Sequence, residues 1–356
     1  MIRDNPAGTE GFEFLEFSTP NLPQLIQQFE TMGFTQQTMH RKYDVTIYQQ
    51  NDIRFIINTT PRTIASEFAA QHGPSVSAMG FRVKNAKLAF EHAIRQGARP
   101  YQTEDRVNPY DMPAIYGVGG SLIYFVDYQN GQSNYAHHFN QSIKKSAPQN
   151  PTGLTYIDHV THNLHRGEMS VWADFYTRLF NFFEVRYFDI EGRITGLKSK
   201  AMTSPCGKIR IPLNESSDDQ SQIEEFLKDF NGEGIQHIAL GTDNIYDSVS
   251  TLHACGLEFL DTPDTYYDLI EKRLPKHGEP LEALKKNRIL IDGTTDSEIK
   301  ILLQIFTKNM LGPVFFEIIQ RKGDEGFGEG NFRALFESIE LDQIRRGVLT
   351  WEKAST

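Results

Sequence analysis

Three residues in the chain have types that together can hold a metal ion: His159, His237 and Glu317, 78 and 80 residues apart. An internal repeat singles them out. Ala78–Gly97 lies without a gap on His237–Gly256, and both stretches read as a strand, a helix and a glycine stop. In this alignment His237 faces Ala78. By the same plan His159 faces Phe14, and Glu317 faces Phe125 or its neighbour. Duplicated modules share structural demands, so a change of chemical type between them points to function. Glu317 sits inside the apolar run Val314-Phe-Phe-Glu-Ile-Ile-Gln320. Burying its charge there would cost several kcal/mol unless the carboxylate is protonated, paired or bound to a metal. Two imidazoles and one carboxylate make the facial triad typical of non-haem Fe(II) oxygenases, which leaves coordination positions open. The pseudo-symmetric strand Lys208–Leu213 offers no Asp, Glu or His as a fourth ligand, which argues against a four-ligand zinc or nickel isomerase. His162 and His165 cluster with His159 in sequence. Residues three apart on a strand point to opposite faces, so His162 is not expected to share the site. His40, His72, His92, His137, His138, His253 and His277 read as ordinary surface or core histidines.

The elements that must position the triad follow from periodicity. A second repeat pair has the same plan: Phe12–Ser18 before a helix ending at Gly33-Phe34, and Ile157–Asn163 before a helix ending at Asn181-Phe182. In the latter helix Trp172, Phe175, Tyr176 and Leu179 follow the spacing 0, 3, 4, 7, which predicts one buried face. Further strands are expected at Val45–Tyr48, Phe55–Asn58, Ser121–Val126, Arg186–Phe188, Gly196–Lys200, Lys208–Leu213, Arg288–Ile291, Ile301–Phe306 and Val314–Ile319. The sum is an α+β chain of four βαβββ modules, two in each half. The halves divide as 1–150 and 151–356, joined through the polar stretch Gln141–Thr152. After the glycine-rich Gly326–Asn331, the residues Phe332, Leu335, Phe336 and Ile339 predict an amphipathic helix that could pack as a lid.

Composition narrows the function classes. The 356 residues are 39% hydrophobic and 23% charged, enough for a large core and too apolar for a disordered chain. A formal charge of −10 opposes binding to a polyphosphate, so nucleic acid is not an expected partner. Two cysteines, Cys206 and Cys255, are too few for a disulfide framework and fit a reducing compartment. Met1–Pro6 lacks a signal-like apolar stretch, and no apolar run approaches the ~20 residues that span a bilayer. A cytoplasmic protein with no membrane partner is expected.

Around the triad lie Leu302-Leu-Gln-Ile-Phe-Thr-Lys308, Phe315-Phe-Glu-Ile-Ile-Gln-Arg321, Gly326-Phe-Gly-Glu-Gly-Asn-Phe332, Gly234-Ile-Gln-His-Ile-Ala239 and Ile211-Pro-Leu-Asn-Glu215. In order and together they resemble the 4-hydroxyphenylpyruvate dioxygenase family of the vicinal-oxygen-chelate superfamily. The resemblance spans the C-terminal half by motif and the N-terminal half by length and repeat plan. It implies two open-barrel domains, the first without a metal site, and Fe(II) on His159, His237 and Glu317. The implied reaction joins 4-hydroxyphenylpyruvate and O₂ in an oxidative decarboxylation, with ring hydroxylation and side-chain migration giving homogentisate and CO₂. The same resemblance implies a polar set around the substrate of Gln222, Gln236, Gln304, Ser199 and Asn214. It further implies an aromatic wall of Phe306, Phe315, Phe327 and Phe332, with Pro212 shaping the pocket and Asn331 beside the lid. Gln236, one residue before a ligand, would face away from it unless a bulge redirects its amide. Family members commonly form dimers or tetramers, so a homo-oligomer is expected. A hydroxymandelate synthase, which uses the same substrate and iron, is the near alternative; Phe332, Pro212 and Asn214 favour ring attack over it. An extradiol-type dioxygenase and a metal-free aromatic-binding module are the more distant ones.

Overall fold

A computed structural model of the chain describes residues 3–103, 105–140, 152–191, 196–295, 298–328, 330–331, 343 and 346–348. The expected linker, except Thr152, and the expected final helix with Phe332 lie outside these residues.

The N-terminal half runs β1 (Thr9–Ser18), α1 (Leu22–Thr31), β2 (Thr35–Met39), β3 (Val45–Gln50), β4 (Ile53–Asn58), α2 (Ile64–His72), β5 (Ser75–Val83), α3 (Ala86–Arg95), β6 (Ala114–Tyr116) and β7 (Leu122–Val126), then the short hairpin β8 (Tyr128–Gln129) and β9 (Gln132–Ser133). The C-terminal half repeats the plan with β10 (Leu154–Leu164), α4 (Met169–Phe180), β11 (Phe183–Glu191), β12 (Gly196–Thr203), β13 (Arg210–Ser216), α5 (Gln222–Phe230), β14 (Gly234–Thr242) and α6 (Ile245–Ala254). It continues through α7 (Asp264–Asp268), α8 (Ile270–Arg273) and α9 (Leu281–Asn287) to β15 (Leu290–Thr294), β16 (Lys300–Phe306) and β17 (Phe315–Lys322). Each expected strand falls on one of these. The helices α2 and α5, which precede the second module of each half, are not among the expected elements. Among the described residues no helix is long and apolar enough to cross a membrane.

Each half forms one mixed sheet, in the orders β2-β3-β4-β1-β5-β7-β6 and β11-β12-β13-β10-β14-β17-β16-β15. The first is one strand short because the second module is βαββ rather than βαβββ among the described residues. Its connection from α3 to β6 carries Pro100, Pro109 and Pro113, and Pro100 pairs only as an isolated bridge with Ile115. Proline has no N–H to give a ladder.

The pairing fixes the equivalence of the halves residue by residue. Phe14 lies opposite Gly80 and Gly80 opposite Tyr124; in the other half His159 lies opposite Ala239 and Ala239 opposite Glu317. Glu16 pairs with Ala78 as Thr161 pairs with His237. The N-terminal half therefore holds Phe14, Ala78 and Tyr124 at the places of the triad, so the partner of Glu317 is Tyr124, not Phe125. Three register skips recur as well, at Glu10 and Thr155, at Glu13 and Asp158, and at Ser77 and Gln236, where one strand carries an extra residue. A bulge of this kind re-aims a side chain that alternation would send elsewhere.

In the N-terminal half the inner face is plugged. Phe14, Tyr110, Tyr124 and Tyr135 pack together with ring centroids 5.4–6.2 Å apart. That face is not wholly apolar, since buried Glu16 accepts hydrogen bonds from Tyr110, from Ser77 Oγ at 2.9 Å and from Asn58 Nδ2 at 3.2 Å. Burial raises its pKa despite those bonds. The outer faces and their helices share one core that crosses between halves, with Phe55 against Phe316 and Phe81 against Phe180. In α4, Tyr176 and Leu179 are fully buried and Trp172 and Phe175 are half-buried against that core.

Gly80 leaves room for the Phe14 plug: a Cβ there would stand 2.6 Å from the ring. Gly80→Ala should cost about 1–3 kcal/mol of stability. Urea unfolding should show a lower midpoint at an unchanged slope.

Candidate metal centre

The three candidate ligands sit on adjacent strands. Ala239 on the central strand β14 is flanked by His159 on β10 and Glu317 on β17, and His237 stands two residues along the same strand. The small Ala239 side chain leaves space between the flanking groups. His159 Nε2 lies 3.2 Å and His237 Nε2 3.6 Å from Glu317 Oε2, with all three side chains buried. A ligand atom from each lies within 4.8 Å of the others. Among the described residues no lysine or arginine reaches Glu317; its other partner is neutral Gln304, whose Nε2 donates to Oε1 at 2.8 Å. Metal bonds of about 2.1 Å at right angles put donors about 3 Å apart, so this donor set fits one octahedral cation with open positions.

Each ligand is aimed by a neighbour. His159 Nδ1 donates to Asp158 Oδ1 at 2.9 Å and His237 Nδ1 to Gln236 Oε1 at 3.0 Å, which turns both Nε2 atoms toward Glu317. Asp158 and Gln236 are the bulged residues, which is how a side chain beside a histidine can turn to the same face. Thr161 Oγ1 lies 2.9 Å from His237 Nε2. Burial would raise the Asp158 carboxyl, but Arg321 and His159 hold it well below the usual range. Burial also disfavours charge on His159, yet Glu317 and Asp158 outweigh it and raise its pKa; burial and the His159 charge hold His237 low.

Gln304 joins the triad to the glycine-rich loop. Its Oε1 accepts from Asn331 Nδ2 at 3.0 Å, and Asn331 Oδ1 accepts from the Tyr266 hydroxyl at 2.6 Å. The loop approaches so closely that a Cβ on Gly328, which has φ +73, would meet Gln304 Oε1 at 1.8 Å. Phe315 stacks on His237 with centroids 4.9 Å apart, Phe306 meets the same imidazole edge-on, and Phe327 lies edge-on to His159 at 5.5 Å. Ser199, Asn214 and Asn163 form a register row across β12, β13 and β10. Ser199 Oγ, Asn214 Oδ1 and Asn163 Nδ2 are buried without a hydrogen-bond partner. Such atoms are costly in a core and suited to a ligand. Pro212 follows two residues away on β13, opposite Ala201. Gln222 is a half-buried first residue of α5, and no hydrogen bond joins it to the triad. Phe332 lies outside the described residues.

Asp158, Thr161, Asn163 and Arg321 escaped the sequence reading. The one signal for Asp158 was its place immediately before a candidate ligand, and the bulge that makes it matter leaves no mark in periodicity.

A family model described as "Hydroxyphenylpyruvate dioxygenase, HPPD, N-terminal" matches residues 3–140, and one for the "Glyoxalase/Bleomycin resistance protein/Dioxygenase superfamily" matches residues 156–269. A 4-hydroxyphenylpyruvate dioxygenase of Pseudomonas aeruginosa is 55% identical over 97% of this chain and 97% of its own length. The chain belongs to the 4-hydroxyphenylpyruvate dioxygenase family. Members of this family use iron. Among solved structures, a xylose isomerase-like TIM barrel/4-hydroxyphenylpyruvate dioxygenase fusion protein matches with a TM-score of 0.82 at 29% identity. That match covers 96% of this chain and 54% of the fusion. A mutant 4-hydroxymandelate synthase from Streptomyces coelicolor matches at 0.80 over 94% of this chain and 99% of its own, and at 24% identity it shows the fold alone.

His162 lies on the opposite side of β10, fully buried, 3.2 Å from the Val160 carbonyl and 3.4 Å from the Tyr176 hydroxyl. Burial pushes its pKa from 6.5 down to about 4. The unfolded chain then takes up a proton that the fold refuses, so stability should fall as pH drops from about 6.5 to about 4, by on the order of 3 kcal/mol. Denaturant unfolding across that range should show a smaller loss in His162→Gln than in the wild type.

Proposed function

We propose that the chain converts 4-hydroxyphenylpyruvate and O₂ to homogentisate and CO₂ on Fe(II) held by His159, His237 and Glu317. The observation that carries this reading is a buried carboxylate whose partners are two imidazoles and one amide, beside a row of unpartnered polar atoms. Bound there, iron would supply the activation of O₂ and open positions for the 2-oxo acid of the substrate.

The residues of the chain would supply position and dryness. Gln304 holds Glu317 Oε1 so that Oε2 faces the ion, and Asp158 and Gln236 do the same for the two histidines. Phe306, Phe315 and Phe327 would enclose the phenyl ring. Ser199, Asn214 and Asn163 offer two donors and an acceptor for the substrate's oxygens, and Pro212 shapes the wall beside them. Gln222 and Phe332 belong to the same proposal through the family resemblance alone. In this division of labour 151–356 carries catalysis, and 1–150 is the copy whose site is filled by Phe14 and Tyr124. The relatives favour ring hydroxylation over hydroxymandelate formation, because the 55%-identical relative, matched over 97% of its own length, is a 4-hydroxyphenylpyruvate dioxygenase.

Product chromatography of the iron-loaded protein with 4-hydroxyphenylpyruvate should give homogentisate with one CO₂ per O₂ consumed. Hydroxymandelate as sole product would overturn the proposal. Glu317→Gln should lose iron and slow turnover by more than the roughly 10–100-fold typical of losing an outer partner. Its circular dichroism should remain native, since the N-terminal half tolerates a tyrosine at that place.

A further inference from the structure

The two histidines of the site are not backed alike. Behind His237 stands the neutral amide of Gln236, whereas behind His159 stands the carboxylate of Asp158. That carboxylate is clamped in turn: Arg321 Nε donates to Oδ2 at 2.7 Å and an Arg321 terminal nitrogen to Oδ1 at 2.8 Å. Arg210 adds a longer contact at 3.5 Å. Arg321 also donates to the carbonyls of Asp324 at 3.1 Å and Gly326 at 2.6 Å, and its guanidinium lies over the ring of Phe327, which leans on His159. One arginine therefore grips both the partner of a candidate ligand and the loop that walls it.

The repeat separates a role in folding from a role at the metal. At the place of Asp158 the N-terminal half has buried Glu13, also at a bulge and also paired with arginines, Arg54 at 3.2 Å and Arg82 at 2.8 Å. Its remaining partners are the hydroxyls of Tyr128 and Tyr135. The bulged acid with its arginine is thus a device of the fold. What differs in the C-terminal half is an acid shorter by one methylene, which brings an oxygen to the imidazole of the next residue. A bidentate guanidinium fixes the plane of a carboxylate, and a fixed carboxylate fixes the tautomer and ring angle of the imidazole it accepts from.

We propose that Arg321 and Asp158 form a positioning pair that presents His159 Nε2 to the metal, making His159 the anion-backed and more strongly donating imidazole of the two. This rests on the metal-centre reading above. The test uses metal-stripped full-length protein. Affinity for Co(II) is followed by visible absorption and affinity for Fe(II) by chelator competition, alongside the melting temperature of the metal-free form. Two variants are compared with the wild type. Asp158→Glu keeps the charge and the arginine partner, as Glu13 does, but moves the oxygen off Nδ1. The pair Asp158→Asn with Arg321→Gln removes both charges together and leaves neither buried alone. Both should bind metal about 10–100-fold more weakly, with metal-free melting of Asp158→Glu close to wild type. Wild-type affinity in Asp158→Glu, whatever its melting temperature, overturns the pair. A wild-type protein that binds neither ion overturns the metal centre itself, which is a separate result.

Discussion

The arrangement of the C-terminal half depends on one constraint, the burial of the Glu317 carboxylate in a strand that is otherwise apolar. A charge there is tolerable only with partners, and among the described residues none is a lysine or arginine. Two imidazoles approach it from the same side and an amide from the other. The strand order, which the N-terminal half shares, brings these groups within reach of one another. β14 stands between β10 and β17, and Ala239 on it is small enough for His159 and Glu317 to meet across it. The arrangement is short of positive charge, as a site for a divalent cation would be. Belonging to an iron-using family, and having polar atoms left unpaired alongside, fit the same picture.

Duplication made much of this legible. Periodicity alone marked strands and helices, but the ungapped match of Ala78–Gly97 to His237–Gly256 turned two histidines and a glutamate into anomalies. The register then showed which residues stand in their place. Other parts were hidden for physical reasons. Asp158, Gln236 and their counterparts Glu13 and Ser77 act through bulges, and a bulge is a slip of pairing between strands that no single strand reveals. Arg321 lies far from Asp158 in sequence and meets it only because β10 and β17 flank the same central strand β14. The row of Asn163, Asn214 and Ser199 needs three strands in register before its unpaired atoms coincide. Of the two helices that were not expected, α2 has only Ile64, Ala65 and Phe68 as its apolar stripe, whereas α5 repeats the spacing 0, 3, 4, 7 at Ile223, Phe226, Leu227 and Phe230, so its signal stood in the sequence unused. The missing strand of the second module is a matter of three prolines, which the count of modules passed over.

The two halves also show how one plan can be emptied or filled. Where the C-terminal sheet keeps His159 and Glu317, the N-terminal one places Phe14 and Tyr124, adds Tyr110 and Tyr135, and needs a glycine at position 80 to seat the first ring. Glu16 survives among them because three donors reach it. A plugged sheet gains the packing of four rings and loses its ligand space, so the division between a structural copy and a reactive copy is written in side-chain volume as much as in charge.

The core that runs between the halves has its own implication for dissecting the gene. Phe316 is the neighbour of Glu317 on its own strand, and its ring faces Phe55 from the other half; Phe180 at the end of α4 rests on Phe81. A fragment beginning after the linker would expose those rings to water next to the reactive strand. It would gain a sticky flank at the place where it had lost its lateral support. Excision of the half that carries the candidate metal centre as an autonomous unit is therefore the wrong way to simplify this chain, and any minimal version must carry the N-terminal half along as its scaffold.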